Sequence, residues 1–118
     1  MRVSNGPASR ERRRRRLELA KGFRGSRSKL FRQATEAVDR AQRLATTHRK
    51  DRKREFRALW ITRINLAVRA EGMTYSRFME GVIKAGIEIN RKMLSEMAIH
   101  DSEGFKKIVA QARAALVK

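Results

Sequence analysis

The sequence predicts an all-α chain, a long basic helical N-terminal extension followed by a small C-terminal helical bundle. Pro7 is the only proline, and neither Gly nor Pro interrupts the stretch between Gly25 and Gly72. No segment alternates β-branched and polar residues long enough to support a strand. Charge and apolar bulk also separate along the chain. Residues 1–58 hold 20 Lys+Arg and 6 Asp+Glu, whereas residues 59–118 hold 10 and 6. Large apolar residues run the other way, 10 before position 59 and 23 after it. The boundary is therefore set at 58/59, with a basic helical extension over 1–58 and a globular helical domain over 59–118. Only the second part can build a core, and about 60 residues is near the lower limit for independent folding.

Taken in order, residues 1–9 are expected to be irregular, with turn chemistry at Asn5-Gly6-Pro7. Ser9 is the expected cap of a short helix from Arg10 to about Lys21 that places Leu17 and Ala20 on one side. Gly22-Phe23-Arg24-Gly25 breaks that helix. Its spacing matches the phosphate clamp of KH domains, but the strand–helix context of that fold is missing, which favours a structural turn. Ser26 or Ser28 then caps a helix that nothing stops before Gly72, about 44 residues or roughly 66 Å. Its stripe of Leu30, Ala34, Ala37, Ala41, Leu44 and His48 is narrow. The flanks lack the mixed charges of a coiled coil, so a rod lying on RNA is expected.

From Leu59 the stripe widens into a core face of Trp60, Ile61, Ile64, Ala67 and Val68, closed by Gly72. Thr74 is the expected cap of a third helix carrying Phe78, Met79, Val82 and Ile83, ended by Gly86. Asn90 caps a fourth, with Ile89 able to staple against Leu94. Asp101 or Ser102 caps the last, whose face is Phe105, Ile108, Val109, Ala112 and Leu116. The methionines, Met79, Met93 and Met97 among them, read as core filler.

The formal net charge is +18 over 118 residues. Self-repulsion at that density calls for a polyanion, nucleic acid before an anionic membrane. With no cysteine, a disulfide framework, a thiolate metal site and a thiol nucleophile are excluded, and a reducing compartment fits. No run of 18 apolar residues could span a bilayer. The start MRVSNGPASRERRRRR has no apolar signal region, and its basic run passes straight into patterned sequence, unlike a transit peptide. His48 and His100 lack a carboxylate or serine arranged as a relay, and no phosphate-loop, zinc or metalloprotease spacing occurs. No enzyme activity, cofactor, metal or small-molecule substrate is expected.

The basic residues divide unevenly, 16 Arg against 4 Lys over residues 1–58. Arginine's planar fork suits crowded phosphates and stacks on bases. Arg12, Arg13, Arg14, Arg15 and Arg16 point to all sides of a helix, so phosphates can surround it; a solubility or nuclear-import role is the other reading. Arg49, Lys50, Arg52, Lys53, Arg54 and Arg57 nearly encircle the middle of the rod, which suits a helix crossing between RNA strands or a charged hinge. Asp51 and Glu55 are expected to hold neighbouring arginines by pairing three or four residues away. Arg10, Lys29 and Arg32 add to the arm. Trp60, flanked by Arg57 and Arg63, is expected in the core, with base stacking as the second reading. Tyr75 and Ser76 are more exposed candidates for sugar or phosphate contacts.

The segments Ala20-Lys21-Gly22-Phe23-Arg24-Gly25-Ser26-Arg27-Ser28, Arg52-Lys53-Arg54-Glu55-Phe56-Arg57-Ala58-Leu59-Trp60-Ile61-Thr62-Arg63-Ile64-Asn65 and Tyr75-Ser76-Arg77-Phe78 resemble the bacterial large-subunit ribosomal protein family called L-twenty. Lys84-Ala85-Gly86-Ile87-Glu88 and Asn90-Arg91-Lys92 extend the resemblance over essentially the whole chain. It implies a helical extension buried in large-subunit ribosomal RNA (23S-type) and a small helical domain on the RNA surface. It further implies a role early in subunit assembly, contact with neighbouring large-subunit proteins and, in some bacteria, repression of translation by binding the protein's own messenger. By position, Lys21, Arg24, Arg27, Arg52, Lys53, Arg54 and Arg57 match basic residues of the family's arm. Arg63, Asn65, Tyr75, Ser76 and Arg77 match polar residues of its globular part. The sequence departs from the family at Leu44, Ala45 and Thr46, where aromatics are usual, and at Ala58, where a basic residue is usual. The implied location is the large ribosomal subunit in the cytoplasm, with an organellar ribosome as the other placement. A DNA-compacting nucleoid protein is the competing class. A membrane-active cationic helix is disfavoured, because the arm has no broad face of Trp and Phe.

Overall fold

The computed structural model describes residues 4–117, and among them every regular element is helical. The chain divides into two compact units, Met1–Lys50 and Asp51–Lys118, the division falling inside the longest helix. Of the start expected to be irregular, residues 1–3 lie outside the described residues.

In the first unit, α1 spans Gly6–Leu19 and starts a turn earlier than expected, at Asn5 rather than Ser9. Pro7 sits in its first turn, where a fixed φ and a missing N–H cost nothing. Ser9 is already inside the helix, donating its N–H to the Asn5 carbonyl at 3.1 Å. A 3-10 turn over Gly25–Ser28 follows, and α2 then runs unbroken over Phe31–Ala70, 40 residues. Ser28 does not cap α2; its hydroxyl donates to the Gly25 carbonyl at 3.1 Å within the 3-10 turn.

Ala20, Ala34 and Val38 are buried together, with Leu17 and Phe23 packed against them. Ala20, just past the end of α1, is buried with Ala34 and Val38 of α2, so small side chains make this contact. Only the middle of the expected stripe is covered, because Leu30 and Leu44 are exposed. The extension thus has a minor core of its own, which the narrow Ala-rich stripe did not disclose.

The second unit contains the end of α2, then α3 (Tyr75–Lys84), α4 (Arg91–His100) and α5 (Ser102–Val117). Ile64, Val68, Phe78, Val82, Leu94, Phe105, Ile108, Val109 and Ala112 form its core. Phe78 and Phe105 meet in a tilted pair at 5.6 Å between ring centres. The helix ends follow the expected chemistry. At Gly72 (φ +74°) the chain turns left-handed, while Gly72 and Met73 donate to the Arg69 and Val68 carbonyls at 3.0 and 3.1 Å. Met73 is then partly buried against the core cluster that contains Val68, as this type of helix stop favours. Gly86 and Ile87 repeat the arrangement on Ile83 and Val82. Asn90 accepts the Met93 N–H at 2.9 Å, and Asp101 accepts that of Gly104 at 2.9 Å. Thr74 precedes α3 in extended backbone, but its hydroxyl makes no cap bond. Met79 and Met97 fill the core edge as expected, whereas Met93 is 52% exposed and is not core filler.

Gly81 is buried where α3 crosses α5, and an added Cβ would run into the Ala112 backbone carbonyl. Gly→Ala normally favours a helix by up to about 1 kcal/mol. Here the sign is expected to reverse, because backbone cannot step aside as a flexible side chain can. Gly81→Ala should lose about 1–3 kcal/mol from overpacking, read as a lowered thermal midpoint by circular dichroism; an unchanged or raised midpoint would contradict the close crossing.

Candidate nucleic-acid interface

The basic residues of the extension and of its junction with the bundle fall into three groups by what surrounds them. Arg10, Arg13 and Arg14 of α1 and Lys21 just after it line a groove of about 510 Å³ with Leu17, Glu18 and Ser28. Arg14 pairs with Glu18 at 3.4 Å, and Arg15 with Glu11 at 3.3 Å. Arg12 reaches only the Ser9 hydroxyl, at 3.5 Å. Arg16 differs from the rest of its run. Its guanidinium donates to Asp39 of α2 at 2.6 Å, so one of the five arginines fastens the first unit internally.

The second group surrounds a groove of about 860 Å³ between the Gly22–Arg27 segment and one face of α2. Arg24, Arg27 and Arg40 line it, with Phe23, Ala37, Ala41 and Leu44 supplying apolar floor. Gly22 and Gly25 form the turn into the 3-10 segment, so the Gly22–Gly25 spacing is structural. Arg40, and Arg43 in a depression beside it, are not among the candidates that the sequence singles out. Arg40 lies three residues after Ala37 and four before Leu44, a spacing that could have placed it beside the stripe. Lys29 is exposed just after the 3-10 turn, and Arg32 pairs loosely with Glu36 at 3.8 Å.

The third group belongs to the second unit, except that Arg49 and Lys50 precede it as exposed residues of α2. Arg52, Lys53, Arg54, Arg57 and Arg63 of α2, with Lys92 and Glu96 of α4, line a groove of about 700 Å³. Phe56, Leu59 and Trp60 form its apolar floor. Asp51 holds Arg54 at 3.6 Å, as its spacing predicts. Trp60 is not in the core as expected. It is half-buried and outside the core cluster, which begins one turn later at Ile64.

The polar residues expected in the globular part are scattered rather than gathered. Asn65 accepts from Arg69 at 3.2 Å. Tyr75 is less exposed than expected: it packs against the core, and its hydroxyl accepts from Arg91 at 2.9 Å, tying α4 to α3. Ser76 is exposed. Arg77 donates to Glu80 at 3.1 Å. The hydrogen bond from Lys84, then that from Arg77, holds the Glu80 carboxyl below its ordinary range, so Arg77 already has an anionic partner. That support is present above the carboxyl's unfolded pKa and fades as pH falls through the lowered one. Among the described residues no cluster could hold a metal ion, and no helix is long and apolar enough to cross a membrane.

Comparison with known proteins agrees with this basic helical architecture. The family model described as "Ribosomal protein L20" matches residues 2–108. The "Large ribosomal subunit protein bL20" of Alkaliphilus metalliredigens is 57% identical over 112 residues, covering 95% of this chain and 94% of its own. Its counterpart in Thermoanaerobacter sp. is 58% identical over the same length and covers 95% and 94%. That of Pelobacter propionicus is 54% identical over 115 residues and covers 98% of both. An extension dominated by arginine, a small helical bundle and matches of this length agree, and the chain belongs to the ribosomal protein L20 family.

Proposed function

We propose that this protein is a non-enzymatic structural constituent of the large ribosomal subunit, that it binds the subunit's RNA directly, and that it supports early assembly. Residues 1–58 serve as the extension that enters RNA, and residues 59–118 as the domain at its surface. The observation that carries the reading is the unanswered charge of the extension. Arg13, Lys21, Arg24, Arg27, Lys50, Arg52 and Lys53 are exposed, and none has a carboxylate within 4.0 Å among the described residues. A rod with this much unpaired guanidinium is stabilised by phosphates that exchange for its counterions. Early arrival in assembly is part of the same proposal, because an extension enclosed by RNA would have to be in place before the RNA closes around it. The relatives' printed names place them in the large subunit, and we extend that location to this chain.

The protein is expected to remain with large subunits during sedimentation in about 0.5 M salt, conditions that strip weak electrostatic binders. Recovery at the top of the gradient would reject the proposal. Duplex DNA that competes as well as structured ribosomal RNA would instead favour the nucleoid reading. Binding of the protein's own messenger is tested in the same assay, with that messenger as competitor.

A further inference from the structure

Trp60 is the one residue whose surroundings differ most from what its type and position promise. It is the single tryptophan of the chain, placed one turn before the core begins, yet it is only half-buried. Phe56, four residues earlier on the same face of α2, is 48% exposed, and their ring centres lie 6.1 Å apart at 34°. Phe56 and Leu59 are exposed beside the partly buried Trp60, and apolar patches rimmed by polar residues mark binding sites. What rims the patch selects the occupant. Lys53, Arg57 and Arg63 share the helix face with the two rings, and Lys92 stands across the groove on α4. Glu96, the acidic residue of the lining, lies 3.9 Å from Arg63 and 3.5 Å from His100. It thereby gives Arg63 a loose anionic partner.

We propose that Trp60 is the stacking platform for one unpaired RNA base, with Lys53, Arg57 and Lys92 taking the flanking phosphates. The inference rests on the RNA-binding reading above and names the part of the nucleic acid that this groove accepts. The rings of Phe56 and Trp60 already touch, so a base cannot slide between them and lies on the outer face of the indole. Duplex RNA does not offer such a base, whereas loops, bulges and junctions do. Stacking tolerates any base, because each has a π-face, so the groove selects for single-stranded character rather than sequence.

The test uses the full chain and its single tryptophan as reporter. A labelled 12-nucleotide oligoadenylate and a ribose-phosphate chain of equal length without bases are each titrated at low salt. Label anisotropy follows binding, and tryptophan emission follows stacking. Both are expected to bind, but only the oligoadenylate to quench Trp60. Trp60→Leu should weaken oligoadenylate binding roughly 5- to 100-fold while leaving the abasic chain unaffected, and Trp60→Phe should restore part of the loss. Equal quenching by both chains overturns the proposal. So does binding of both without quenching, which would leave the groove to an acidic protein partner. If neither chain binds, the RNA reading itself fails, and the stacking site with it.

Discussion

Phe78→Ala is expected to abolish the cooperative unfolding of the C-terminal bundle. Phe78 is fully buried and joins α3 to α5 through its contact with Phe105. Truncating a buried phenylalanine costs about 3–5 kcal/mol, the lost transfer energy plus that of the cavity left behind. A domain of this size rarely has more than about 3–5 kcal/mol in total. The substitution therefore removes most of the available stability. Far-UV circular dichroism of the full chain should show helix lost at room temperature and no sharp thermal transition. Phe78→Leu, which keeps most of the volume, should retain the transition at a lower midpoint. A wild-type melting curve for Phe78→Ala would show that the core is not organised around this ring.

Replacing Arg52, Lys53, Arg54 and Arg57 together by glutamine is expected to flatten the salt dependence of RNA binding. Glutamine keeps helix propensity close to that of arginine, so α2 should persist. Each phosphate contact contributes about 0.7–0.9 to the slope of log K against log salt, so four lost contacts reduce it by about 3. Wild type should then lose roughly 100-fold more affinity than the variant between about 50 and about 200 mM salt. Binding isotherms on a large-subunit RNA fragment give both slopes. Parallel lines would mean that these side chains do not reach phosphate. Because Asp51 already partners Arg54, a fall nearer to three contacts than four is consistent with this geometry.

Periodicity and cap chemistry made the C-terminal helices readable in advance. Asn90, Asp101, Gly72 and Gly86 act where their side-chain chemistry or missing Cβ is needed, and these requirements are local to a few residues. What remained hidden depended on contacts between segments distant in sequence. Nothing around Arg16 announces Asp39, 23 residues away, as its partner. Nor does Val38, one residue off the Ala stripe, advertise burial without α1 in place. Trp60 continues the spacing of Ile64 and Val68, so periodicity extends the core one turn too far; only the position of α4 reveals that this turn faces a groove. Tyr75 was misjudged for the converse reason, since a connecting segment looks exposed until Arg91 is found against its hydroxyl. The charge of the candidate interface was legible as composition, but the sorting of each cation into internal pair or open groove was not.

The last helix closes the bundle. Phe105, Ile108, Val109 and Ala112 cover the core, and Arg113 donates to the Glu71 carbonyl at 2.6 Å, at the end of α2. During synthesis the arginine-rich segment leaves the translation machinery before α5 does. A chain cut short before Ser102 would carry the whole charge of the extension with an unsealed core. The core of the bundle is therefore sealed only once α5 has been made, well after the arginine-rich segment.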